Sequence, residues 1–297
     1  MKKYLLMLML FCVCVLAMPD IYALLPEKLR IAAAQPEPER NSGYAVECVC
    51  GGEKRTLPLE EYVACLLTQQ GAGDYPAECL KALACVARTR VFAGDIAPLD
   101  IAYLAPSAEA KEAAEFTAGE YIAYRGEPID AVTHISSRSV TVSAAEAYGK
   151  DVPYLRSVST PEYEAGADVS RAVTVAPERL ARILAENGYS CDTLQNAASW
   201  ITYVSRSESG RLINVRLCGN SISGSRLAAM LDLPSVYIEI DTDGGMFVFT
   251  CFGEGDGVGL SVLGARVMAE RGAGYEEILV HYFEGTDILL NKPPRVG

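Results

Sequence analysis

Residues 59–90 read LEEYVACLLTQQGAGDYPAECLKALACVARTR, and no other stretch limits the fold so tightly. Leu59, Tyr62, Val63, Leu66 and Leu67 recur at helical spacing, and Leu80, Leu83, Ala84 and Ala87 do so again after a break. Gly71-Ala72-Gly73 ends the first run. Pro58 and Pro76 open the two helices, because a proline in the first helical position forfeits no needed N–H. Glu78 falls in the first turn of the second helix, where the helix dipole favours a negative charge. The pattern predicts a helical hairpin whose turn carries Gln70, Asp74 and Tyr75.

The remaining periodicities place a strand at 44–50, a helix within 105–118, and a strand hairpin over EYIAYRGEPIDAVTH turning at Arg125-Gly126-Glu127-Pro128. A helix at 177–187 stops at Asn187-Gly188. Strands follow at 200–205 and 211–217, a helix at 223–231, and strands at 235–240 and 246–252. The glycine-rich GEGDGVGLSVLGA leads into helices at 260–271 and 274–283. Strands and helices mix without βαβ regularity, so the expected fold is α+β. A mixed sheet, the helical hairpin and the Gly-rich loop would form a cleft within one domain over 43–290, with 166–235 a candidate inserted subdomain.

Ahead of that domain, two lysines precede an uncharged run at 4–18, the pattern of a signal peptide or signal anchor within 1–25. The run is short of the roughly 20 apolar residues of a full span. Lys2 and Lys3 would leave the following chain outside the membrane. Neither Cys12 nor Cys14 follows a small residue, which disfavours a lipoprotein. Residues 26–42, rich in proline and charge, read as a linker. A net charge of -12 argues against a nucleic-acid surface, which needs a basic face, but not against carbohydrate. Eight cysteines follow residue 14. Their spacing favours small buried thiols over bridges or metal, since His134 and His281 are the only histidines and neither stands at ligand spacing.

The order of five segments resembles the stage II sporulation protein D and amidase-enhancer family: the hairpin sequence, EYIAYRGEPIDAVTHISS, PYLRSVSTPEYE, GRLINVRLCGNSISGSRLAAMLDLPS, and GDGVGLSVLGARVMAERGAGYEEILVHYFEGTDI. The resemblance runs from about Leu57 to Ile288. It implies a membrane-anchored or secreted, extracytoplasmic wall protein, placed between forespore and mother cell if sporulation-specific. The implied partner is the glycan strand of peptidoglycan, with a wall hydrolase or amidase as a further protein partner. The implied activity is that of a lytic transglycosylase acting on strands stripped of stem peptides, and no cofactor is implied.

Cleaving a β-1,4 glycosidic bond requires an acid to protonate the leaving oxygen. In the family that acid is a Glu eight residues before the second helix's Glu, which falls on Gln70 here. An amide keeps the shape and hydrogen-bonding reach of a carboxyl without a transferable proton. The family pattern His-Ser-x-Ser-Gly-Gly is His134-Ile135-Ser136-Ser137-Arg138-Ser139, so residues that restrict the backbone replace two glycines. The motif Gly-His-Gly-Val-Gly-Met-Ser-Gln is Gly255-Asp256-Gly257-Val258-Gly259-Leu260-Ser261-Val262. Cysteine and histidine metal positions reported for some members have no clear counterpart, so no zinc is expected.

The expectation is therefore a glycan-binding cleft with weak or lost catalysis. Gln70 stands at the acid's position, and Glu78, Arg88, His134, Ser136, Ser137, Gly257, Gly259 and Ser261 contribute to binding. Two alternatives stay open: an active enzyme with its acid relocated to Asp74, Glu78 or Asp256, and a non-catalytic amidase enhancer. Local sequence also allows plainer roles. Glu78 suits a helix-dipole position or an ion pair with Arg88, Asp256 a cap for the helix that starts near Leu260, and His281 a structural place in the last helix.

Overall fold

The computed structural model describes residues 43–290, apart from 51, 95–99, 102–104, 168 and 194–195. Strands β1 (Ala45–Cys50) and β2 (Glu53–Pro58) form an antiparallel hairpin. Val46, Cys48 and Cys50 of β1 alternate inward, as the strand period requires. Helix α1 (Leu59–Gln69), a 3₁₀ turn at Ala72–Asp74 and helix α2 (Ala77–Ala93) make the expected helical hairpin. Pro58 and Pro76 are the N-cap residues, one position ahead of where the sequence placed them. Gly94 closes α2 in the left-handed conformation, at φ 78°. β3 (Asp100–Ile101) adds to β1 in parallel, so this sheet is mixed.

Helix α3 (Ala108–Phe116) packs against the hairpin after a cap from the Ser107 hydroxyl. At their junction Arg88 is wholly buried. Its Nε and Nη2 donate to the two oxygens of Glu60 at 3.1 and 2.5 Å. It also donates to the carbonyls of Glu120 at 2.8 Å and Ala114 at 3.2 Å. One Glu60 oxygen takes the Gly119 N–H as well, at 3.2 Å. The pair Glu78–Arg88 considered from sequence is corrected to Glu60–Arg88, because Arg88 points into the three-helix junction and Glu78 has other partners.

β4 (Glu120–Tyr124) and β5 (Glu127–Pro128) turn through Arg125 and Gly126, both at positive φ. β6 (Thr133–His134) and helix α4 (Ala144–Tyr148) follow. The chain then builds a second hydrophobic core from residues between Val175 and Phe249. Its elements are β7 (Ser170–Val175), α5 (Pro177–Glu186), β8 (Ile201–Arg206), β9 (Leu212–Leu217), β10 (Asn220–Ser223), α6 (Gly224–Leu231), β11 (Tyr237–Asp243) and β12 (Met246–Phe252). They form two sheets, β11-β12-β7 and β10-β9-β8. The stretch 166–235 read from sequence carries β7 to α6, and β11 and β12 complete its sheet, because β12 pairs with β7. Trp200 stacks on Phe247 at 5.6 Å between ring centroids. Cys191 and Cys218 form a disulfide with 5.1 Å between Cα atoms, a pairing 27 residues apart that spacing did not reveal. Among the described residues six other cysteines are buried and outside any disulfide, and burial pushes the thiols of Cys79 and Cys85 up to about 12.

The last elements return to the first core: β13 (Leu260–Ser261), α7 (Val262–Glu270), α8 (Tyr275–Tyr282) and β14 (Asp287–Leu290). β13 pairs with β6 in parallel and β14 with β4 antiparallel, which fastens the C-terminal part to the middle of the chain. The fold is α+β with small, open, mixed sheets. The expected membrane segment is corrected: no helix among the described residues is long and apolar enough to cross a membrane. Residues 1–25, where the sequence placed that segment, and the linker 26–42 lie outside the described residues.

Candidate functional site

The site is organised by the parallel pairing of two short strands, in which Thr133 faces Leu260 and His134 faces Ser261. The Gly-rich loop then lies against the segment after His134. Ile135 and Ser136 N–H donate to the Glu254 carbonyl at 3.1 and 3.3 Å, and Val142 N–H donates to the Gly257 carbonyl at 2.7 Å. Gly259 is required by this approach. At φ 75° a side chain is strained, and a Cβ would stand 2.2 Å from the Val132 carbonyl oxygen.

His134 is buried, with Nδ1 3.0 Å from the Val258 carbonyl. Since a carbonyl only accepts, Nδ1 carries the proton and Nε2 is left as an acceptor. Nε2 has no partner among the described residues. Burial lowers the imidazole's pKa from 6.5 to about 4, against the opposing Val258 bond, with the Arg211 charge pushing the same way. A pKa depressed by folding means the unfolded chain binds the proton first. His134 therefore contributes stability that is complete above about pH 6.5 and is lost as pH falls toward about 4, by up to about 3 kcal/mol. Histidine ¹⁵N NMR should show the Nδ1–H tautomer through neutral pH, and His134→Gln should flatten that part of the pH–stability curve. Titration of His134 near its ordinary value would contradict the buried neutral ring.

Ser136 is fully buried, and its hydroxyl has no partner among the described residues. Ser137 and Ser261, expected to meet substrate, instead face Glu162. The wholly buried carboxylate of Glu162 accepts the Ser137 N–H at 3.0 Å and the Ser261 hydroxyl at 2.9 Å. The Thr160 hydroxyl donates to its other oxygen. Ser261 also caps α7 by accepting the Gly264 N–H at 3.1 Å. Glu162 thus welds the His134–Ser137 segment to the start of α7. Within PYLRSVSTPEYE no local signal marks Glu162, and its hydroxyl-rich neighbours on two segments are joined only by folding.

Gln70 ends α1, its N–H bonded to the carbonyls of Leu66 and Leu67 at 3.1 and 3.2 Å. Its side chain is exposed and borders a depression of about 40 Å³ with Arg90 and Thr133. The fold therefore sets residue 70 beside β6, one residue from His134. Glu78 is elsewhere engaged. It accepts from Lys81 at 2.7 Å and from the Tyr275 N–H at 2.9 Å, capping α8. Burial raises its pKa, but these two hydrogen bonds outweigh that and hold it below the usual carboxylate value. With both oxygens of Glu78 engaged and Arg88 wholly buried at the helix junction, the structure brings neither to Gln70.

Two readings of the substituted motif change. Arg138 does not abandon the glycine-like backbone, for it holds φ 73°. Its guanidinium pairs with Glu239 at 2.9 Å and lies 3.8 Å from the Phe252 ring centroid, contacts that offset roughly 1–2 kcal/mol of left-handed strain. Asp256 does not cap the following helix, because Ser261 does. It accepts the Val258 N–H at 3.0 Å within its own loop, and the Tyr148 hydroxyl donates to its other oxygen. Asp74 is exposed in the 3₁₀ turn. His281 lies in α8 with Nε2 2.7 Å from the Ser159 carbonyl. Among the described residues no group of three or more His, Cys, Asp or Glu is placed to hold a metal ion.

At residue 70 the arrangement exposes an amide that donates and accepts, while the neutral His134 Nε2 and the Ser136 hydroxyl lie buried without a partner among the described residues. Comparison with known proteins finds the same family likeness. A family model described as stage II sporulation protein matches residues 52–147, which spans β2 to α4. Stage II sporulation protein D of Bacillus amyloliquefaciens is 25% identical over 336 aligned residues, covering 97% of this chain and 96% of its own length. The protein of the same name from Bacillus subtilis (strain 168) is 24% identical, with 98% of each chain covered. An uncharacterized protein of Brachyspira hyodysenteriae is 28% identical across 78% of this chain and 67% of its own length. Over most of its length the chain is thus a divergent relative of stage II sporulation protein D, and its residues 52–147 match the family's model.

Proposed function

We propose that this protein works at the cell wall outside the cytoplasm, holding peptidoglycan glycan strands in the cleft between Gln70 and the His134–loop pair with little or no cleavage. The observation that carries the reading is the placement of Gln70 beside Thr133, one residue before His134. That is where a family acid would meet a bound sugar, and an amide there holds a proton it cannot transfer. The reading is further supported by the positive φ of Gly255, Gly257 and Gly259 and by the positive φ that Arg138 holds, a backbone that favours glycine.

Gln70→Glu tests this. Restoring the acid is expected to raise the release of 1,6-anhydro sugar ends from denuded strands at least about 100-fold above the unmodified protein. Arg90 lines the same depression and would favour the ionised form of the new carboxyl, so the optimum should lie on the acid side of neutrality. A well-folded Gln70→Glu protein with no turnover, or unmodified protein already cleaving at that rate, would overturn the reading.

A further inference from the structure

The second feature of the Gly-rich loop lies on its other side. A cleft of about 580 Å³ runs between α4, the loop and the sheet of β8–β10, with Val142, Tyr148, Arg211, Leu212, Pro234 and Asp256 in its walls. Arg211 is 5% exposed. Its Nη1 is buried with no hydrogen-bond partner among the described residues. A buried guanidinium without a partner is costly, and native proteins avoid it unless something else supplies the bond. The nearby carboxylates are held by other donors: Asp256 by Tyr148 and Val258, and Glu146 by the Ser209 hydroxyl at 2.5 Å. The loop is also shaped around this side chain. Gly257 has φ 78°, and a Cβ there would stand 1.8 Å from Arg211 Nη2. Arg211 therefore fills the place of a side chain the loop lacks, lines the cleft, and holds one donor unused just beneath its wall.

We propose that this cleft is a carboxylate-binding subsite, in which Arg211 receives the acid group of a carboxylated sugar. Guanidinium forks match carboxylates in shape. Glu146 and Asp256 lie within electrostatic reach of Arg211 and together outweigh its charge, so binding rests on the guanidinium hydrogen bond and a dianion is repelled more strongly than a single carboxylate. The volume suits a ring-sized body, and the apolar wall takes its uncharged face. The sugar's identity rests on the wall-glycan reading above; the carboxylate preference does not.

The test titrates the full-length protein by calorimetry with lactate, N-acetylmuramic acid, N-acetylglucosamine and inorganic phosphate. N-acetylmuramic acid should bind at least about tenfold more tightly than neutral N-acetylglucosamine, and phosphate more weakly than lactate. Arg211→Met should abolish the carboxylate preference while leaving Tm unchanged or raised, because it removes a desolvated guanidinium whose Nη1 has no hydrogen bond to lose. A purely structural arginine would lower Tm and leave the sugar preference intact. Should Arg211→Met not fold, Ala229→Trp fills the cleft from an exposed position of α6 and should block binding with Arg211 in place. Lactate binding through Arg211 without N-acetylmuramic acid binding would keep the subsite and sink the wall-sugar reading. Polymeric strands binding while neither carboxylate does would sink the subsite alone. Tighter binding of phosphate than of carboxylate would also overturn it.

Discussion

Glu60→Ala should destabilise the protein by about 3–5 kcal/mol, one of its largest single-residue effects. Glu60 is 20% exposed, but its partner Arg88 is fully buried. Removing the carboxylate strands a guanidinium among α1, α2, α3 and β4, where uncharged acceptors remain: the carbonyls of Glu120 and Ala114, and at 3.5 Å the Ala84 carbonyl and the Thr117 hydroxyl. The reverse change, Arg88→Met, should cost less, because Glu60 can recover water. A double change to Glu60→Leu and Arg88→Met should regain much of the loss, since well-packed apolar residues often match a buried pair. Urea denaturation of the four proteins reads this directly. A cost below about 1 kcal/mol for Glu60→Ala would show that Arg88 finds another counter-charge.

Glu162→Ala comes next, at about 2–4 kcal/mol. The change leaves the Ser137 N–H and the Ser261 and Thr160 hydroxyls without their acceptor in a place water does not reach, and it opens a void beside Tyr282. Glu162→Gln keeps the volume and one acceptor oxygen, so it should cost less. The two effects differ in kind from those at Glu60. Because Glu162 joins the segment after His134 to the start of α7, its loss should speed hydrogen exchange at 134–137 and 261–264 while the helical hairpin stays protected. Uniform loosening across the domain would mean Glu162 only fills space.

The helical hairpin was legible because its signals are local: two apolar stripes, Gly71, Pro76 and Gly94 suffice. The exposed edge strand β2, with sequence EKRTLP, escaped notice because an edge with no buried face carries no alternation. The second core was only partly legible, since β12 reaches back to pair with β7 across more than seventy residues. At the site, Gln70 and His134 were found through motif order. Glu162 and Arg211 were not singled out, because their importance lies in burial and in partners distant along the chain. Arg138 misled for a similar reason. Its residue type argues against a left-handed backbone, and only Glu239 and Phe252, about a hundred residues on, explain why it holds one.

The central claim is that the cleft binds glycan strands without the means to cut them. The most direct measurement incubates the unmodified protein with strands stripped of stem peptides and reads, in one sample, the bound fraction and the number of new 1,6-anhydro ends. Saturable binding with no increase in anhydro ends is the expected result. Anhydro ends forming at an enzymatic rate, or no binding at all, would contradict it.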